Sequence, residues 1–243
     1  MSAGTKDRIT LALDTSRLKG SVAVVKGDDV LCEILFDASD THSATLMPAI
    51  DSCMKTAGID LEEVGLLAFA DGPGSFTGLR IGLATIKALA AVREIPVAAV
   101  CSLEAMAAAF PWAPVAVMPV LDARRGEVYA GLYDVSGGLP VEMVPPGAID
   151  PADAAGLTGQ AAGEGLIVSG NGIDRYFEVL REALPAKARF AARKFWDPSA
   201  SLLAMIAATR EPVPFERLAG IEPLYIRPPD AKLPGGQRLR EGG

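Results

Sequence analysis

Residues 9–25 read ITLALDTSRLKGSVAVV, and residues 117–133 read VMPVLDARRGEVYAGLY. In each, an apolar run closes on an aspartate, Asp14 or Asp122. A short polar turn with a glycine, Gly20 or Gly126, follows, and a second apolar run returns. The pattern predicts an antiparallel hairpin in both places. The surroundings repeat as well. After the first hairpin come a third strand around VLCEILF, a helix over 43–57, a strand GLLAFA, a helix from about 76 to 93 and a strand IPVAAV. After the second come a strand around VEMV, a short helix at DPADAAGL, a strand GLIVS, a helix over the residues after Gly172 and another near 199–210. We read this as an α/β chain made of two copies of a βββαβα unit.

That plan is the plan of the actin-like ATPase and sugar-kinase (ASKHA) fold. It predicts a first lobe over residues 1–103, a second over 104–228 and a flexible, Pro/Gly-rich tail over 229–243, with the last helix packing back on the first lobe. In that fold a nucleotide lies between the lobes. The turn at Asp14, Thr15 and Ser16 and the loop at Gly170, Asn171 and Gly172 are the candidate nucleotide residues. The strand-end aspartates Asp14, Asp71 and Asp122 are either carboxylates for kinase or ATPase chemistry or simple turn formers.

The stretch DGPGSFTGLRIGLATIKALA, residues 71–90, opens like a phosphate loop. It fails the Walker spacing, because Leu79 and Arg80 follow Gly78 and Pro73 stands where the first glycine belongs. It fails the dinucleotide pattern too, because Thr77 occupies the third glycine position. Gly74, Gly78 and Gly82 instead recur every four residues. Glycine inside a helix costs roughly 1 kcal/mol against alanine, so a close backbone approach must repay it. The approaching element is either this chain's own sheet or another protein.

Composition limits the chemistry. The 243-residue chain carries a net charge of −7 and a single histidine. It has no basic run of the kind that holds nucleic acid unaided, and Arg124, Arg125, Arg189, Arg193, Lys194 and the tail residues Arg238 and Arg240 read as solvated surface. Four residues beyond His42 stands Leu46, so there is no HxxxH pair and no metal site is predicted. His42 reads as a cap or surface residue, with Asp40, Thr41 or Ser43 as alternative caps. Cys32, Cys53 and Cys101 lie far apart and read as small buried hydrophobes in a reducing, cytoplasmic setting. Glu104 and the prolines at 111, 114 and 119 break the long apolar stretch at 97–121, which excludes a membrane span.

The motifs LALDTS (11–16), HSATLMPAID (42–51), GPGSFTGLRIGLATIKALA (72–90), SLEAMA (102–107), PVLDARRGEVYAGLY (119–133) and EPLYIRP (222–228) occur in the order and spacing of the bacterial TsaB (YeaZ-like) proteins. The chain resembles that family from about residue 8 to 228. The resemblance implies a subunit without catalysis of its own. It implies action in forming N6-threonylcarbamoyladenosine beside the tRNA anticodon, with transfer catalysed by the related TsaD. It also implies that the helices over 43–57 and 76–93 pair with TsaD, which carries over to Leu46, Met47, Ile50, Phe76, Gly78, Arg80, Ile81 and Gly82. TsaE joins the pair, and tRNA is reached through the complex. An exposed apolar face predicts a homodimer when TsaD is absent. No tightly bound cofactor is implied; ATP or ADP in the interlobe cleft is the residual option. The alternative reading is an autonomous actin-like ATPase or small-molecule kinase.

Overall fold

Among the described residues, ten strands form two sheets with one connectivity. In the first, β1 (Ile9–Asp14), β2 (Lys19–Lys26) and β3 (Asp29–Asp37) run as an antiparallel meander. To it β4 (Val64–Gly72) and β5 (Val97–Cys101) add in parallel, giving the order β3-β2-β1-β4-β5. In the second, β6 (Ala116–Arg124), β7 (Glu127–Asp134) and β8 (Val141–Ile149) form the meander. There β9 (Leu166–Ser169) and β10 (Ala188–Phe190) add in parallel to β6, giving β8-β7-β6-β9-β10. Each aspartate stands beside its hairpin turn, Asp14 opposite Ser21 and Asp122 opposite Val128, and the second register is one residue shorter, with an irregularity between Asp122 and Arg124. The chain therefore has the α/β, two-lobed, actin-like plan with a duplicated unit. This computed structural model describes residues 7–37, 42–159 and 165–226. The cap candidates Asp40 and Thr41, the side chains of His42 and Ser43, and the tail 229–243 lie outside the described residues.

The two faces of the first sheet differ in the size of their side chains, as strand alternation allows. Leu11, Leu13, Val22, Val24, Leu67 and Phe69 face α1 (His42–Ala57) and α2 (Phe76–Arg93). Ala12, Ala23, Ala68 and Ala98 face α6 (Ala200–Ala208), which brings Leu203, Ala204 and Ala207 onto them. Small residues on both sides let helix and sheet approach closely. The short helix α3 (Ser102–Ala107) turns Ala105 toward this layer and Leu103, Met106 and Ala107 toward Val117, Leu121 and Tyr133 of the second sheet. The sequence division at residue 103 falls within this helix. On the other side of the second sheet, α4 (Ala155–Thr158) and α5 (Gly172–Ala183) cover Val120, Val128, Leu132 and Val168.

Some local expectations need correction. α1 starts at His42, one residue before the expected 43–57, and carries Pro48 inside it. The three-residue strand β10 has no periodicity that a sequence reading detects, and neither do the 3-10 turns at Arg193–Trp196 and Phe215–Gly220. α2 ends as predicted at Arg93, where Glu94 takes the left-handed conformation and closes the helix onto the Ala90 carbonyl; α1 is followed by Gly58 with φ +68°.

Candidate partner-binding face and interlobe turn

The β1–β2 turn is closed on itself. Asp14 is fully buried, and its two carboxylate oxygens are both taken. Oδ1 accepts from the Ser16 amide at 2.9 Å and the Ser16 hydroxyl at 2.6 Å. Oδ2 pairs with the Arg17 guanidinium at 3.0 Å. Arg17 also donates to the Trp196 carbonyl at 2.7 Å, so it ties the first lobe's turn to the segment that follows β10. Lys19 and Asp197 add a second, partly exposed tie at 2.7 Å.

The loop ahead of α5 reaches the same segment from the other side. Ser169 donates to the Phe195 carbonyl at 3.0 Å, next to the Trp196 carbonyl that Arg17 holds. Gly170 has φ +120°, and a Cβ there would lie 2.1 Å from the Val120 carbonyl oxygen, so only glycine fits. Asn171 does not cap α5; its Oδ1 accepts from the Asp122 amide at 3.1 Å. Arg17 and Ser169, each next to one of the nucleotide candidates, thus hold adjacent carbonyls of one short segment, Phe195–Trp196. The polar side chains of Asp14, Thr15, Ser16 and Asn171 already have partners within the chain.

The glycines of α2 face this turn. Ser75 caps the helix and its amide donates to the Ser16 carbonyl at 2.7 Å. The Thr15 hydroxyl donates to the Gly78 carbonyl at 2.8 Å. A Cβ on Gly74 would lie 2.2 Å from the Ser16 carbonyl oxygen, and one on Gly82 would lie 2.3 Å from Thr15 Oγ1. The close approach at Gly74 and Gly82 is made by this chain's own β1–β2 turn. Gly78 and Gly82 are buried, and their assignment as partner-interface residues is corrected accordingly.

The other interface candidates divide. Leu46 and Ile50 are 1% and 3% exposed and belong to the core under the first sheet, so they too are corrected. Their spacing places them with Ala49 and Cys53 on the buried stripe of α1. Met47, one position round the helix, is 49% exposed, and Phe76 is 38% exposed at the start of α2. Arg80 is exposed, with its guanidinium 3.9 Å from the centre of the Phe76 ring. Ile81 is half-buried and packs against the core.

The sequence reading missed what lies across α2. Residues 219–225 cross its exposed side: Lys87 donates to the Ala219 and Ile221 carbonyls at 3.2 and 2.9 Å, and Leu224 donates to the Asp71 carbonyl at 2.8 Å. Tyr225 packs against Phe76, with ring centres 5.3 Å apart. EPLYIRP held a signal in its lone tyrosine among prolines, but nothing in it named Phe76 as the partner. Beneath this crossing, burial pushes the Asp71 carboxyl up to about 6, and the nearby Arg210 guanidinium opposes that shift. Asp71 Oδ1 is buried without a hydrogen-bond partner among the described residues. Arg210 itself pairs with Glu104 and the Ala99 carbonyl.

Of the cysteines, only Cys53 is buried; Cys32 and Cys101 are half-buried, which modifies the sequence reading. Burial pushes the Cys53 thiol to about 12, with Cys32 adding to the shift, and the Cys101 thiol to about 11. These thiols stay protonated near neutral pH. Among the described residues there is no cluster of three or more His, Cys, Asp or Glu placed to hold a metal ion, and no helix long and apolar enough to cross a membrane.

Residues 36–227 match the family model of TsaD, tRNA N6-adenosine threonylcarbamoyltransferase. The chain is 31% identical to the tRNA threonylcarbamoyladenosine biosynthesis protein TsaB of Bacillus subtilis, over 91% of this chain and 95% of that protein. The chain belongs to the TsaB family. TsaB of Haemophilus influenzae is 41% identical over 49% of this chain and 51% of its own length. Among solved structures, YeaZ from Pseudomonas aeruginosa superposes with a TM-score of 0.76 at 29% identity, covering 90% of this chain and 99% of that one. The TsaB-type fold thus extends through both lobes, and the match to the TsaD model gives the TsaB chain and TsaD a common architecture.

Proposed function

We propose that this chain is an accessory subunit of tRNA N6-threonylcarbamoyladenosine formation that docks a TsaD-type subunit and performs no chemistry of its own. The docking elements are the exposed sides of α1 and of the first half of α2, with Met47, Phe76 and Arg80 at the surface. A TsaE-type ATPase joins the pair, tRNA is met through the complex, and the chain pairs with itself when TsaD is absent.

The observation that carries this reading is the closure of the β1–β2 turn. An actin-like ATPase needs polar groups on that turn free to meet phosphate and metal. Here Asp14 spends both carboxylate oxygens on Ser16 and Arg17, and Thr15 spends its hydroxyl on Gly78. The family relationship supports the pathway, and the exposed Met47 and Phe76 support a protein contact. The test is a reconstitution with TsaD and TsaE of the same organism, tRNA and threonylcarbamoyl-adenylate, with and without this chain. We expect modification to depend on it. Undiminished modification in its absence would reject the proposal, and robust ATP turnover by the purified chain, abolished by Asp14→Ala, would favour the autonomous ATPase.

A further inference from the structure

The chain from Ala219 to Ile226 does not simply trail from the second lobe; it is laid along α2 and fastened there. Lys87 Nζ holds two of its carbonyls, and the Leu224 amide is held by Asp71. At its far end three side chains form a closed set. Tyr225 packs against Phe76 with ring centres 5.3 Å apart and planes tilted by 34°, the Arg80 guanidinium lies 3.9 Å from the Phe76 ring centre, and Arg80 Nε donates to the Tyr225 hydroxyl at 3.2 Å. Even so, Phe76 remains 38% exposed and Leu224 42% exposed. A groove of about 270 Å³ runs beside them, between Leu83 and Ala84 of α2 and Ile221 and Pro223 of the strap.

A surface aromatic fixed by an aromatic and a cationic neighbour has already lost the rotamer freedom that docking would otherwise cost. Aromatic and arginine side chains are also the usual anchors of protein interfaces. We infer that residues 219–226 are a built part of the docking face for a TsaD-type partner, with Tyr225 as the residue that positions Phe76 and Arg80. This rests on the docking reading given above. The occupant is the TsaD-type partner of the docking reading, and the match of residues 36–227 to the TsaD model supports a shared architecture for the two. A partner of that architecture presents a corresponding helix pair, and two like helix pairs can meet about a pseudo-twofold axis. Arg80, exposed at the rim of this face, sets a cation there, which favours a carboxylate of the partner at that point.

The test is a calorimetric titration of the same organism's TsaD into the full chain and its variants. Tyr225→Ala is expected to weaken binding about tenfold, and Tyr225→Phe, which keeps the ring and loses the bond to Arg80, by a smaller factor. Hydrogen exchange at the Leu224 amide is expected to slow on complex formation, a readout that a purely internal strap would not give. If Phe76→Ala weakens binding while both Tyr225 variants leave it unchanged, the strap inference is overturned and the docking reading stands. If Phe76→Ala and Met47→Glu also leave it unchanged, the docking face itself is wrong. Should the Tyr225 variants reduce only self-association, the occupant is a second copy of this chain and the assignment to TsaD fails. Circular dichroism of Tyr225→Phe guards against a folding artefact.

Discussion

The Thr15 hydroxyl donates to the Gly78 carbonyl at 2.8 Å, and the same oxygen stands where a Cβ on Gly82, one helical turn further on, would meet it at 2.3 Å. One threonine thus holds the Gly78 carbonyl and leaves no room for a side chain at Gly82. Gly82→Ala gains roughly 1 kcal/mol of helix propensity but must displace Thr15. We expect a net loss of about 1–3 kcal/mol, measured by urea unfolding. In a Thr15→Ala background, which removes that oxygen, the loss should shrink; equal losses in both backgrounds would show that the Thr15 hydroxyl is not the obstacle.

Arg17 and Lys19 offer a matched pair of charge deletions. Arg17 faces the fully buried Asp14, whereas Lys19 pairs with Asp197 with half of its own side chain exposed. Removing one member of a buried pair costs about 3–5 kcal/mol, and an exposed pair contributes about 0–1 kcal/mol. Arg17→Met should lower the thermal midpoint by on the order of 10 °C, and Lys19→Met by little. Comparable midpoints for the two variants would contradict the closed-turn description.

Asp71 gives the chain a pH dependence with a definite sign. Its carboxyl titrates near 6 in the fold against 3.8 when unperturbed. Between those values the folded state holds more protons than the unfolded state, so stability falls as pH rises from about 4 to about 6, and then levels. Asp71→Asn should flatten that stretch and raise stability at pH 7 by up to about 2–3 kcal/mol, because each tenfold change in proton affinity is worth about 1.4 kcal/mol. Denaturant titrations of both proteins at pH 4.5 and 7.5 measure it. A gain at pH 4.5 as large as at pH 7.5 would rule the carboxyl out as the source.

Self-association tests the exposed face without any partner. Multi-angle light scattering at tens of micromolar should report a dimer of the unmodified chain, and Met47→Glu should shift it toward monomer with the thermal midpoint retained, because Met47 lies outside the core. A monomer at that concentration would count against pairing through this face.

The duplicated plan was legible because it rests on local signals: apolar runs of strand length, aspartates at their ends, and glycines in the turns. The interface was less so. Helical spacing puts Leu46, Met47 and Ile50 in one group, yet burial separates Met47 from the other two. Spacing alone cannot say which edge of an apolar stripe the sheet covers. The glycine repeat was visible, but its cause lay at Thr15 and Ser16, remote in sequence. The pairing of Tyr225 with Phe76 is remote in the same way. β10 is three residues long, too short for a two-residue alternation to repeat.

The alanine face of the first sheet, covered by α6, has a consequence for synthesis. Ala12, Ala23, Ala68 and Ala98 are all made early, but Leu203, Ala204 and Ala207, which cover them, come late in the chain. Domains commonly fold as units while the ribosome is still translating. Here the first lobe must wait, half-clad, while the second is produced, and its last wall arrives only after residues 200–208 emerge. Nascent chains stalled before that helix should be the most susceptible to protease and to chaperone capture, and those stalled well beyond it should be resistant.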